Sequence, residues 1–113
     1  MYKRDSKLLL EDILESSEKI ISYTNNHNFK SFSDDSKTVD AVIRNFEIIG
    51  EAANRLPEEF KNQYENVQWF RIIGFRNRIV HDYMGVDLSI VWNIIEEFLP
   101  ILMKEISLIL DML

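Results

Sequence analysis

The chain has 113 residues, 46% hydrophobic and 12% aromatic, with 3 Gly, 2 Pro and no Cys. That is one domain's length with enough apolar material for a core, which excludes a disordered chain, and too few turn residues for a many-stranded β protein. A net charge of -6 excludes a generic nucleic-acid coat, whose binding rests on phosphate neutralisation, and the missing cysteines exclude disulfide scaffolds, thiolate metal sites and cysteine nucleophiles.

The pattern predicts helices nearly throughout, in a single domain over residues 1–113. The first runs from about Asp5 to Thr24. Leu9, Leu10, Ile13, Leu14, Ile20 and Ile21 recur at three- and four-residue steps, and Asp5 or Ser6 can cap it. The start, MYKRDSKLLLEDILESSEK, does not read as a signal peptide, because Glu11 and Asp12 break its apolar run and no small-residue cleavage site follows. An Asn-rich turn, Asn25 to Asn28, ends the helix. The acceptors Ser33, Asp34, Asp35 and Ser36 then open a second helix that reaches about Leu56. Val39, Val42, Ile43, Phe46, Ile49 and Ala53 line its apolar face.

Pro57 ends that helix and suits the first turn of a short one through Glu58, Glu59, Phe60 and Tyr64. A third long helix starts near Val67 or Gln68, with Trp69, Ile72, Ile73, Ile79 and Val80 apolar. Gly85 is its expected left-handed stop, past Tyr83 and Met84. Asp87 caps a last helix from Leu88 onward, with a kink or break expected at Pro100. Its charges argue against a membrane span.

Four long helices, one short helix and short loops predict an all-α, antiparallel up-and-down bundle. Ile90, Val91, Ile94, Ile95, Phe98, Leu99, Ile101 and Leu102 cover too wide an arc for one buried face. Either the last helix is central and well buried, or a second subunit covers the excess.

Most polar residues read as solvated helix faces. Glu47 and Glu51 share a face, but neither histidine has a Glu three residues before it, so no carboxylate-bridged metal site is expected. No phosphate loop, nucleophile elbow or zinc helix motif is present, and no cofactor is expected. His27 reads as a surface histidine.

The exception is Arg76-Asn77-Arg78-Ile79-Val80-His81-Asp82-Tyr83. Arg71, Arg76 and Arg78 place three of the six arginines within eight residues, a local positive charge in an acidic chain. On a helix Arg76 and Tyr83 fall within about 20° of each other, and Asn77 and His81 form a second stripe beside them. Arg, Asn, His and Tyr thus share one broad polar edge, opposite Ile72, Ile73, Ile79 and Val80. Arg and His at a helix C-terminus also serve as plain dipole caps, and Tyr83 as a core tyrosine with its hydroxyl at the rim; composition leaves these open.

The string Arg76-x-x-x-x-His81-x-Tyr83 resembles the signature of the HEPN superfamily, in the branch of HepT toxins that pair with MntA-type nucleotidyltransferase antitoxins. Ile49-Gly50-Glu51-Ala52 with Leu56-Pro57 resembles the family's second-helix block. Trp69 before the motif, and Val91-Trp92 with Leu99-Pro100 after it, resemble its flanks. The resemblance implies a helical bundle that forms a homodimer, with the two Arg-His motifs meeting across the cleft. It also implies a cytoplasmic, metal-independent endoribonuclease, the toxin of a type VII-like toxin–antitoxin system. It would cleave RNA through the 2′-hydroxyl to leave 2′,3′-cyclic phosphate and 5′-hydroxyl ends.

On that resemblance His81 is the general acid or base and Arg76 the phosphate clamp. Asn77 orients His81 or the substrate, and Tyr83 lines the cleft. The antitoxin transfers AMP onto Tyr83, making it O-AMP-tyrosine and blocking the cleft. Glu51 either holds Arg76 or is a solvated carboxylate, and Arg78 reads as an exposed surface arginine. The rival expectations are a non-catalytic nucleotide- or RNA-binding HEPN module and a helical dimerisation protein in which Arg76 and His81 are dispensable.

Overall fold

The computed structural model describes residues 2–81 and 85–113, with the side chains of residues 2–4 outside the description. The helices in chain order are α1 (Tyr2–Thr24), α2 (Phe29–Asp34), α3 (Ser36–Arg55), α4 (Glu58–Gln63), α5 (Trp69–His81), α6 (Leu88–Asn93) and α7 (Leu99–Met112). A π-helical turn, Ile94–Phe98, joins α6 to α7 in one rod. The four long elements of the expected antiparallel bundle are therefore α1, α3, α5 and the α6–α7 rod. α1 packs against both α3 and α7, and α5 packs against α3. Leu10, Ile13, Ile49, Ile79, Leu99 and Ile106 bring all four into a common core.

The short helix α2 is an addition to the sequence expectation, which left Phe29–Asp34 as connection. Its signal is a capping box in which serine stands where Glu or Gln is usual. Asn28 Oδ1 accepts from the Ser31 amide at 2.9 Å, and Ser31 Oγ accepts from the Asn28 amide at 3.0 Å. The helix seats the fully buried Phe32 against Trp92, ring centroids 5.2 Å apart. His27 ties this turn to the next helix, with Nδ1 3.0 Å from Ser31 Oγ and Nε2 3.7 Å from Asp35 Oδ2.

Asp35 opens α3, accepting from the Thr38 amide at 3.2 Å and from the Thr38 hydroxyl at 2.8 Å. Val42, Ile43, Phe46, Ile49 and Ala53 are buried along α3, the face that the sequence periodicity predicts. Leu56 turns extended before Pro57, whose ring disfavours a helical residue ahead of it. Lys61 of α4 is buried, and its ammonium donates at 3.4 Å to the Ala53 carbonyl, which also accepts the Leu56 amide, while pairing with Glu58 at 3.3 Å.

In α5, Trp69, Ile72 and Ile79 are buried and Ile73 packs partly against the core. Val80 differs from the expectation: it is exposed, although it falls between Trp69 and Ile73 around the helix. The described part of α5 ends at His81, and Asp82, Tyr83 and Met84 lie outside the described residues. No described residue has a positive φ, so the left-handed stop expected at Gly85 is not seen.

The irregularity expected at Pro100 takes a specific form. Proline has no amide hydrogen to donate, and its ring crowds the carbonyl four residues earlier. The preceding turn widens to π geometry, with the Leu99 amide bonded to the Ile94 carbonyl, and Pro100 sits in the first turn of α7. Beyond it, Leu99, Leu102, Ile106 and Ile109 are buried, while Ile101, Leu108 and Met112 remain exposed in a stripe at seven- and four-residue spacing. Within one chain the apolar surplus of the last helix is thus not covered. No helix among the described residues is long and apolar enough to cross a membrane.

Candidate functional site

The site lies where α5 crosses α3. Gly50 sits in the buried middle of α3, a position where glycine costs roughly 1 kcal/mol of helix propensity against alanine. Its hydrogen explains the choice: a Cβ on Gly50 would overlap Cβ and Cγ of Arg76 and approach the Ile72 carbonyl to 3.3 Å. The missing side chain lets the stem of Arg76 lie directly on the backbone of α3.

Arg76 is thereby pinned at its base and steered at its tip. Its side chain is 27% exposed. Nη2 donates to Glu51 Oε1 at 3.3 Å, and Nη1 donates to Asn77 Oδ1 at 2.9 Å. Nε is buried with no hydrogen-bond partner among the described residues. Five donors in a rigid fork are more than these two neighbours consume, so the guanidinium keeps donors for an anion.

Of the sequence-derived residues, the structure brings Arg76, Asn77 and Glu51 together. The two readings of Glu51 both hold in part: it pairs with Arg76, yet its side chain is 54% exposed. Asn77 shares a stripe with His81 in the sequence, and in the structure its amide oxygen is engaged by Arg76. His81 is exposed in the last described turn of α5, one and a half turns and about 7.5 Å along the axis from Arg76. The two are roughly 140° apart around the helix, so Arg76 leans on α3 while His81 faces outward. Arg78 is exposed. Tyr83 lies outside the described residues. Among the described residues no group of three or more His, Asp or Glu side chains could hold a metal ion.

Gly50 is the residue whose part in the site the sequence reading left unstated. A glycine inside an otherwise strong helical pattern was the available signal, but it does not discriminate, since Gly74 of α5 has the same setting and a Cβ there would meet nothing within 4 Å.

Comparison with known proteins finds relatives along most of the chain. The family described as Ribonuclease HepT-like matches over residues 13–109. A protein of Methanocaldococcus jannaschii named "Putative RNase MJ0127" is 42% identical over 107 residues, covering 95% of this chain and 88% of the relative. A "Probable ribonuclease HepT" from Thermococcus cleftensis is 40% identical over 98 residues, covering 87% and 89% of the two chains. "Putative RNase TTE0752" of Caldanaerobacter subterraneus is 38% identical over 102 residues, covering 90% and 91%. No solved structure is a significant match.

Proposed function

Since this chain belongs to the HepT-like family of the HEPN superfamily, we propose that it is a ribonuclease whose chemistry is carried by Arg76 and His81. The observation that carries the reading is the seating of Arg76: a permanent cation fixed by Gly50, Glu51 and Asn77 on the helix that also exposes His81. A fixed guanidinium with donors to spare suits a phosphate, and an exposed imidazole suits proton transfer near neutral pH.

The reaction needs a base, an acid and charge stabilisation at phosphorus. A neutral His81 takes the proton of the 2′-hydroxyl as its oxygen bonds to phosphorus. The bond from phosphorus to the 5′-oxygen breaks, and a protonated His81 of a second copy gives that oxygen its proton. Arg76 neutralises the non-bridging oxygens, where charge builds in the transition state. The products are a 2′,3′-cyclic phosphate and a 5′-hydroxyl, with no cofactor consumed. The angular separation of Arg76 from His81 on α5 supports a cleft shared by two copies, as does the uncovered stripe Ile101, Leu108 and Met112.

In this reading residues 1–113 act as one domain in a cytoplasmic homodimer. The chain is a toxin held in check by an MntA-like nucleotidyltransferase antitoxin, which transfers AMP to the hydroxyl of Tyr83. The added phosphate competes for Arg76 and blocks the cleft. A non-catalytic binding module is the alternative, and the observation in its favour is that Glu51 already occupies one edge of Arg76.

Purified protein incubated with RNA in excess chelator tests the activity. Cyclic-phosphate ends that disappear in His81→Ala support it; no cleavage by unmodified wild-type protein rejects it in favour of the binding module. Intact mass after incubation with the antitoxin and ATP tests the modification. A nucleotide-sized gain absent from Tyr83→Phe supports it, and a gain that persists in that variant assigns the acceptor elsewhere.

A further inference from the structure

The most exposed large apolar side chain among the described residues is Phe70, at 74%. It lies on the same helix as the candidate site and in line with it. Phe70, Gly74, Asn77 and His81 follow one another at four-, three- and four-residue steps, so Phe70 and His81 are only about 20° apart around α5 and about 16 Å apart along it. Between them Gly74 is exposed, and a Cβ there would meet nothing within 4 Å, so the chain's own packing does not require a glycine. The result is a bare strip of helix running from an aromatic ring to the imidazole.

Phe70 also walls a hollow of about 290 Å³, shared with Glu58, Lys61, Asn62, Glu65 and Ile73. That volume is near the lower end of ligand-sized clefts and suits one planar group. Its polar lining disfavours phosphate: Glu58 and Glu65 are carboxylates, and the Lys61 ammonium is already engaged by Ala53 and Glu58. Carboxylates and the Asn62 amide instead match the N–H groups on a base edge.

We propose that Phe70 and this hollow form a nucleobase subsite, in which a base of single-stranded RNA stacks on Phe70 while a phosphate of the same strand lies at His81. This rests on the ribonuclease reading for the position of the phosphate. A stacked strand advances ~3.4 Å per nucleotide, so the two points are at most about five nucleotides apart. The subsite makes the protein selective for unpaired RNA, since a base within a duplex offers no free face.

The test is binding of labelled single-stranded RNA by fluorescence anisotropy, in the His81→Ala background to prevent cleavage. A decanucleotide is compared with a dinucleotide too short to span the strip. Phe70→Ala should weaken decanucleotide binding about tenfold, as loss of one stacking partner does, with a far smaller change for the dinucleotide. Phe70→Trp should restore the affinity. Equal losses for both lengths, no loss at all, or failure of Trp to rescue would overturn the subsite. So would a change in oligomeric state in Phe70→Ala, seen by analytical ultracentrifugation, which would make Phe70 a subunit contact. RNA binding that depends on Phe70 in a wild-type protein that cuts nothing would sustain the subsite and reject the ribonuclease.

Discussion

Gly50 and Arg76 are in van der Waals contact through a space that only a hydrogen can occupy. Any side chain on Gly50 would collide with the Cβ and Cγ of Arg76, atoms held rigidly by α5. The position of the arginine on which the proposed chemistry depends is therefore set by a missing methyl group on a different helix.

Gly50→Ala should destabilise the fold. In a free helix the change would gain roughly 1 kcal/mol, but here it forces α5 away from α3, and overpacking of this kind costs about 1–3 kcal/mol. Urea denaturation should give a lower midpoint with an unchanged slope. RNA cleavage should fall further than the loss of stability accounts for, because the displaced element carries both Arg76 and His81.

Arg76→Lys keeps the charge and loses the fork. A lysine cannot hold Glu51 and Asn77 together and still face a phosphate with paired donors. The expected outcome is a fall of about a hundredfold in kcat, the scale of losing one transition-state donor, with the thermal midpoint nearly unchanged. Full activity in the lysine variant would show that charge alone suffices.

Glu51→Gln separates positioning from stability. The Glu51–Arg76 pair is half solvated, so its contribution to folding is at most about 0.5 kcal/mol. Activity is the more sensitive readout. If Glu51 orients Arg76, kcat should drop while KM changes little, and Glu51→Asp, with a shorter reach, should not restore it. If Glu51 merely competes with RNA for the guanidinium, binding should tighten instead.

Two helix caps make the fold sensitive to acid. Hydrogen bonds from the Thr38 hydroxyl and amide hold the Asp35 carboxyl below its ordinary value of 3.8. Hydrogen bonds from the Ser89 hydroxyl and amide do the same for Asp87. A carboxyl lowered on folding contributes stability that is fully present above its ordinary value and is lost as pH falls through the lowered one. The thermal midpoint should therefore decline as the pH drops below the usual carboxylate range. Asp35→Asn caps α3 without titrating and should flatten that decline, measurable by circular dichroism melts across the pH series.

The sequence by itself determined the helices. Three- and four-residue apolar spacing marks a buried face wherever the helix lies, and Asp35, Pro57 and Asp87 act on the backbone within a few residues of themselves. The Arg76-x-x-x-x-His81 string was legible for the same reason, being confined to one helix. Phe29–Asp34 was not legible, because its cap uses an uncommon partner and its anchor, Phe32, is secured by Trp92 sixty residues away.

Only the tertiary structure decided what surrounds the motif. The contact of Gly50 with Arg76, the choice of Glu51 rather than Glu47 as its ion partner, and the diversion of Asn77 toward the arginine all depend on how α3 and α5 cross. A crossing is fixed by side chains meeting across the core, and sequence spacing along either helix carries no record of it.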